Sequence, residues 1–199
     1  MSKRGRKKGA SGEQSRALLL TIAAEEFAHK GYYETKISTI VQRAGLTQPT
    51  FYLYFKSKEA LFQELIDSFS QGLVDLTKES RLEPGIDFDS LPARIAKGLT
   101  GLFTFFSENP QLTRIGFFNS VEAEEIKKQL ALQIRENLMS EVKNGYFQTE
   151  LDMCLVAEML IGIIERLTIT KLFSGIKTPE ELASEIVHLL LNGMLSTSD

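Results

Sequence analysis

One stretch of the chain gathers side chains that could read a nucleic-acid duplex. From residue 47 the order is Thr47-Gln48-Pro49-Thr50-Phe51-Tyr52-Leu53-Tyr54-Phe55-Lys56-Ser57-Lys58. Gln48 carries an amide able to grip adenine with two hydrogen bonds, and the apolar ring of Pro49 can touch a thymine methyl. Thr47, Tyr52, Tyr54 and Lys58 offer hydroxyl or ammonium groups suited to phosphate oxygens. Phe51 and Phe55 can bury on one helix face while Gln48, Pro49, Thr50 and Tyr52 stay on the outward, N-terminal side. Helix N-termini also attract phosphates.

Such a face needs a small helical scaffold, and the flanking residues supply its pattern. A helix is expected from about residue 13 to 30, with Leu20, Ala23, Ala24 and Phe27 on one stripe and Gly31 at its end. A second, about 36–44, repeats the spacing in Ile37, Ile40, Val41 and Ala44, with Thr35 as N-cap and Gly45 beyond its C-terminus. Thr47 then caps a third, about 48–55, in which Pro49 falls where no intrahelical N–H is needed. Ser57 can cap a fourth, about 58–79. Two short helices joined by Gly45-Leu46-Thr47 have the form of a helix-turn-helix. Beyond the loop at 80–89, helices are expected at about 91–107, 111–119, 122–144, 151–174 and 179–195, broken at Asn109-Pro110, Gly145 and Gly175. The fold class read from this pattern is all-α, about nine helices. The expected organisation is a disordered basic arm at 1–12, a helix-turn-helix domain at 13–57, and a larger helical domain at 58–199.

At this point the chain resembles the TetR family of bacterial transcriptional regulators. The resemblance is close over residues 13–66, and the family's run of Thr, Tyr, Phe, Lys and Leu is matched by Thr50-Phe51-Tyr52-Leu53-Tyr54-Phe55-Lys56-Ser57-Lys58-Glu59-Ala60-Leu61. It implies base reading by Gln48, Pro49 and Tyr52, and phosphate contacts by Thr47, Thr50, Tyr54 and Lys58. Lys36 and Ser38 on the second helix are further phosphate candidates. The family often has Gly where Pro49 stands, and many members have Arg where this chain has Ser38, which is too short to hold guanine by two bonds. The resemblance implies a repressor that binds a palindromic operator as a homodimer and is released by a small apolar or amphipathic effector. An activator of the same family, or a helical binding protein without DNA function, are the alternatives.

Charge supports a two-part reading. The chain has 199 residues and a net charge of −3, but residues 1–60 hold 11 Lys/Arg against 5 Asp/Glu, and the remainder 12 against 21. A basic first third suits a polyanion. Lys3, Arg4, Arg6, Lys7 and Lys8 could lie in a minor groove, or could serve only as a solvated tail. A single Cys, Cys154, excludes an internal disulfide and fits a reducing cytoplasm. No apolar run reaches the roughly 18 residues of a membrane span, and the basic N-terminus has no apolar stretch beside it. Only two histidines, His29 and His188, occur, far apart, so neither a metal site, a cofactor nor an enzyme is expected.

The second part is rich in Phe and Met. Phe69, Phe103, Phe106, Phe118, Met139 and Met159 are either a plain core stripe or, as the family suggests, the lining of an apolar effector pocket. The segment 151–174 is apolar almost all round, so it needs a partner on each side. In the family the last two long helices pair with their symmetry mates, which implicates Leu160, Ile164, Ile186, Leu190 and Met194. Glu158 and Glu165 interrupt that segment seven residues apart. They read either as ion-pairing groups at an interface edge or as carboxylates for a cationic ligand, and a buried charge needs a partner.

Overall fold

The computed structural model describes residues 8–194, and the side chains of 12–194. Within them lie nine α-helices and no strand: α1 Lys8–Glu34, α2 Ile37–Arg43, α3 Gln48–Tyr52, α4 Lys58–Glu79, α5 Leu91–Glu108, α6 Pro110–Thr113, α7 Ala123–Lys143, α8 Met153–Leu167 and α9 Pro179–Asn192. Two π-helical stretches, Arg114–Asn119 after α6 and Thr168–Leu172 after α8, stand where the sequence suggested continuous α-helix. No described helix is long and apolar enough to cross a membrane.

The chain divides into two compact units. The first holds residues 1–69 and 111–121, the second 70–110 and 122–199. The division therefore falls inside α4 rather than at residue 57, and a segment from mid-chain returns to the first unit. No local pattern marks that return, because it is made by packing across a long sequence separation. α1 packs against 114–119 there, and Phe69 meets Phe117 at 6.4 Å between ring centres. Gly116 is what permits the approach: a Cβ on it would stand 2.3 Å from a Phe69 ring carbon.

The first unit is built on the apolar stripe of α1. Leu19, Ile22, Ala23 and Phe27 are buried, one position earlier at its start than the expected Leu20. Ile40 and Val41 of α2, Phe51 of α3, Phe55, and Leu61, Leu65 and Phe69 of α4 complete the core. Phe27, Phe51 and Phe69 are fully buried, each worth about 1.5–3 kcal/mol in apolar burial. α1 continues to Glu34 only by crossing a non-helical residue, Gly31. Thr35 does not cap α2 as expected. It is buried, and its hydroxyl donates to the Gly31 carbonyl at 2.8 Å. Glu26, buried on α1, accepts from Lys30 at 2.6 Å and from Arg43 at 2.8 Å, tying α2 to α1. Arg43 also pairs with Glu25.

In the second unit α5 packs on α9, and α7 on α8. Asp152 caps α8, accepting from the Cys154 N–H at 2.9 Å. Thr178 and Glu181 form a reciprocal capping box at the start of α9, ahead of the sequence expectation that rested on Pro179 and the acidic turn alone.

Candidate nucleic-acid interface and candidate ligand cavity

The turn between α2 and α3 follows from two residues. Gly45 has φ +64°, a backbone that an L side chain rarely adopts. Its N–H donates to the Gln42 carbonyl at 3.1 Å and the Leu46 N–H to that of Val41 at 2.8 Å, which closes α2. Thr47 starts α3: its Oγ1 accepts from the Thr50 N–H at 3.4 Å and meets Thr50 Oγ1 at 2.9 Å. α3 is shorter than expected, ending at Tyr52 rather than near 55.

On this short helix the two faces separate cleanly. Phe51 is buried and Phe55 nearly so, with ring centres 5.6 Å apart. Thr47, Gln48, Pro49 and Tyr52 are exposed, as are Lys36 and Ser38 at the start of α2. Thr50 and Tyr54 are half-buried. A Cβ on Gly12 would stand 3.6 Å from the Tyr54 hydroxyl, so that group lies against the first turns of α1. Leu53, which the sequence reading left without a role, is also exposed beside Tyr52.

Lys58 is the correction on this face. Its ammonium donates to the carbonyls of Tyr32 at 2.7 Å and Thr35 at 2.9 Å, and lies 4.3 Å from the centre of the Tyr32 ring. Those carbonyls close the end of α1, where a cation is favoured by unpaired carbonyls and the helix dipole. The lysine is thus engaged in the protein, not held out for phosphate. Other cations are engaged as well. Arg16 pairs with Glu64 at 2.6 Å and covers the Phe55 ring, while Lys30 and Arg43 pair on Glu26. Among the described residues from 12 to 60, Lys36 and Lys56 are the exposed cations without an ion-pair partner. Lys56 was missed in the sequence because it lies outside the helical pattern. Lys3, Arg4, Arg6 and Lys7 lie outside the described residues, as does the side chain of Lys8.

The second unit contains a partly open cavity of about 230 Å³, far above the ~10–15 Å³ a single water needs. Its walls come from α4, α5, α7, α8 and α9, with Leu102, Leu130, Ile134, Leu160 and Ile164 among the apolar groups. Four polar side chains share the lining: Thr77, Ser80, Asn137 and Glu141.

None of the six residues expected to line a pocket does so. Phe103 and Phe106 are fully buried core residues of α5. Phe69 is buried in the first unit, and Phe118, half-buried, also belongs there. Met139 and Met159 are exposed. The cause is helical geometry: one residue turns a side chain by about 100°. Leu102, Leu138 and Leu160 face the cavity, and Phe103, Met139 and Met159 are each one residue away.

The expected dimer residues fall into two groups. Leu160, Ile164 and Ile186 are buried within the single chain, and the first two line the cavity. Leu190 and Met194 are exposed. The apolar groups that α8 and α9 present to solvent are Leu155, Met159, Leu189, Leu190 and Leu191, with Met194 just beyond. Glu165 accepts from Lys127 at 3.1 Å, and Glu158 is exposed and is not among the residues that line the cavity. Within the second unit the buried carboxylate is Glu141. Burial pushes its carboxyl above the ordinary range, against the opposing effects of the Leu82 N–H and nearby Arg81. A signal for it was present: Asn137 and Glu141, four apart, interrupt the apolar stripe of Leu130, Ile134 and Leu138.

Comparison with known proteins agrees with this architecture. A family model described as "Bacterial regulatory proteins, tetR family" matches residues 19–65. The chain is 47% identical over 186 residues to the uncharacterized HTH-type transcriptional regulator YdgC of Bacillus subtilis (strain 168), covering 94% of this chain and 95% of that one. The fatty acid metabolism regulator protein of the same organism is 23% identical, with 88% and 93% covered. The fold is shared with the fatty acid degradation regulator FadR from Bacillus halodurans, at a TM-score of 0.68 and 19% identity, covering 97% of this chain and 98% of that one. With an exposed reading face over a buried aromatic pair, a helix-turn-helix and a full-length relative, the chain belongs to the TetR family of bacterial transcriptional regulators, whose members bind DNA and act as dimers.

Proposed function

We propose that this regulator is a repressor that holds a palindromic operator as a homodimer in the cytoplasm, and that a small apolar or amphipathic effector in the cavity of the second unit releases it. The observation that carries the DNA reading is the face of α3. Gln48 and Pro49 at its N-terminus and Tyr52 at its last position are exposed, over Phe51 and Phe55 in the core. Gln48 and Pro49 supply base contacts, with Tyr52 beside them. Thr47, Thr50 and Tyr54 serve phosphates, joined by Ser38, Lys36 and Lys56. Two-fold symmetry of the dimer makes the operator symmetric and fixes its half-site spacing.

The effector reading rests on the cavity and on the family. Two of the similar proteins are named for fatty acid regulation, which supports a lipophilic class of effector. The chain crosses between the units at residues 69–70, 110–111 and 121–122, and α4 contributes Leu76 and Thr77 to the cavity lining. An effector that favours one arrangement of these crossings lowers DNA affinity by the factor by which DNA lowers effector affinity. About 1–3 kcal/mol of coupling corresponds to roughly 5–150-fold.

Selection from a randomised duplex library by the purified dimer tests the reading. A palindromic winner, released by compounds that occupy the cavity, is the expected outcome. Weak, salt-sensitive binding with no enriched sequence would overturn it.

A further inference from the structure

The cavity has a chemical polarity that its apolar walls conceal. Three of the four polar side chains on its lining donate a hydrogen bond within the protein. Thr77 Oγ1 donates to the Leu73 carbonyl at 2.7 Å, and Ser80 Oγ to the Thr77 carbonyl at 2.9 Å. Asn137 Nδ2 donates to that same Thr77 carbonyl at 2.9 Å. Since a carbonyl can only accept, the Asn137 amide is fixed with its nitrogen there, which leaves its Oδ1 as the free end. The fourth group is Glu141. It is 6% exposed, and its one hydrogen bond among the described residues is from the Leu82 N–H at 3.5 Å. The hydroxyl donors of the wall are used inside the protein, and the Asn137 amide has one N–H on the Thr77 carbonyl, so the groups left for a ligand are the Glu141 carboxyl, the Asn137 Oδ1 and one remaining amide N–H.

The charge has the same sign. No Lys, Arg or His is among the residues that line the cavity, and Glu141 makes no ion pair there. Arg81, the nearby cation, is exposed and donates to Ser140 Oγ at 2.8 Å. An ionised carboxylate buried against apolar walls is costly unless a cation and hydrogen bonds meet it. A ligand with an anionic head would find no cation on the lining and would face the Glu141 carboxylate.

We propose that the cavity takes an amphipathic cation, with a protonated amine on the Glu141 carboxylate and the Asn137 Oδ1, and its apolar body among Leu102, Leu130, Ile134 and Leu160. The two acceptors are four residues apart on α7, one helical turn, so one ammonium with three N–H groups can engage both. Burial raises the Glu141 carboxyl, so a cation placed on it would favour the ionised form. The inference rests on the cavity being the ligand site. It narrows the ligand to a cationic class and sets this chain apart from regulators of free carboxylic acids.

The test is calorimetric titration of the purified full-length protein with three probes of one chain length: octylammonium, octanol and octanoate. The expected order is octylammonium at least tenfold tighter than octanol, with octanoate weakest. Glu141→Gln should erase the preference for octylammonium and leave octanol unchanged. Its melting temperature reports that it folds, and Glu141→Met replaces it if it does not. Octanoate binding tightest, or a cation preference that survives both variants, overturns the inference alone. Failure of all three probes overturns the cavity as a ligand site as well. Selection of an operator tests the DNA reading separately.

Discussion

Lys58 offers a sharp test, because its two readings predict opposite results. Lys58→Met keeps the apolar stem and removes the ammonium. The lost interactions are two charge-assisted hydrogen bonds at 2.7 and 2.9 Å and a ring contact at 4.3 Å. A hydrogen bond to a charged group contributes about 1.5–3 kcal/mol. The two bonds share one half-exposed ammonium, so about 2 kcal/mol for the set is a reasonable expectation. For a chain of this length that corresponds to a fall in melting temperature of about 4–8 °C at fixed protein concentration. DNA binding should weaken through loosening of the α1 end, with the salt slope unchanged. A phosphate ligand would behave otherwise, flattening the slope by about 0.9 per protomer. Lys36→Met and Lys56→Met should each show that flattening with little change in melting. Differential scanning calorimetry and fluorescence-anisotropy salt titrations read the two quantities. A Lys58→Met protein that melts like wild type while its slope falls by about 1.8 per dimer would refute the assignment.

Other substitutions probe the two units. Gly116→Ala places a methyl where only 2.3 Å separates it from the fully buried Phe69 ring, so it should destabilise by about 1–3 kcal/mol; unchanged thermal unfolding would deny that close approach. Glu26 is held below its ordinary value near 4.5, chiefly by the hydrogen bond from Lys30 and then by that from Arg43, against the opposing effect of burial. Its stabilisation is therefore complete above about pH 4.5 and is lost as pH falls through the folded value, so Glu26→Gln should melt lower at pH 7 with the gap closing in acid. A gap that persists or widens in acid would contradict this. Met159→Glu, on the exposed face of α8, should dissociate the dimer in sedimentation without a large loss of monomer fold, whereas Leu160→Glu should damage the fold itself. Dimers intact in Met159→Glu would move the interface elsewhere.

Local structure was legible wherever a cause acts within a few residues. The Thr47 cap, the Ser57 cap that accepts the Ala60 N–H at 3.0 Å, and the Gly45 turn follow from side chains three or four positions apart. So does the separation of Phe51 and Phe55 from Gln48 and Pro49. What escaped was set by distant packing. Lys58 could not be seen to close α1, because its acceptors lie 23 and 26 residues earlier. Three of the four aromatic residues read as pocket lining, Phe69, Phe103 and Phe106, are core, since the largest side chains gain most from complete burial. The cavity is lined mainly by Leu and Ile, several of them one helical step away, together with Phe147, Met153, Val156 and Val187. The π-helical turns at 114–119 and 168–172 carry no periodic mark of their own, and the return of 111–121 to the first unit carries none either.

The central claim is that the α3 face reads sequence. Its most direct test compares affinity for the selected operator with affinity for unrelated duplex, at one salt concentration, for wild type and for Gln48→Ala/Tyr52→Ala. The account predicts a wild-type ratio of about 10³ or more, collapsing in the variant toward non-specific binding while the salt slope is retained. A variant that keeps the wild-type ratio, or loses affinity equally for both duplexes, would contradict it.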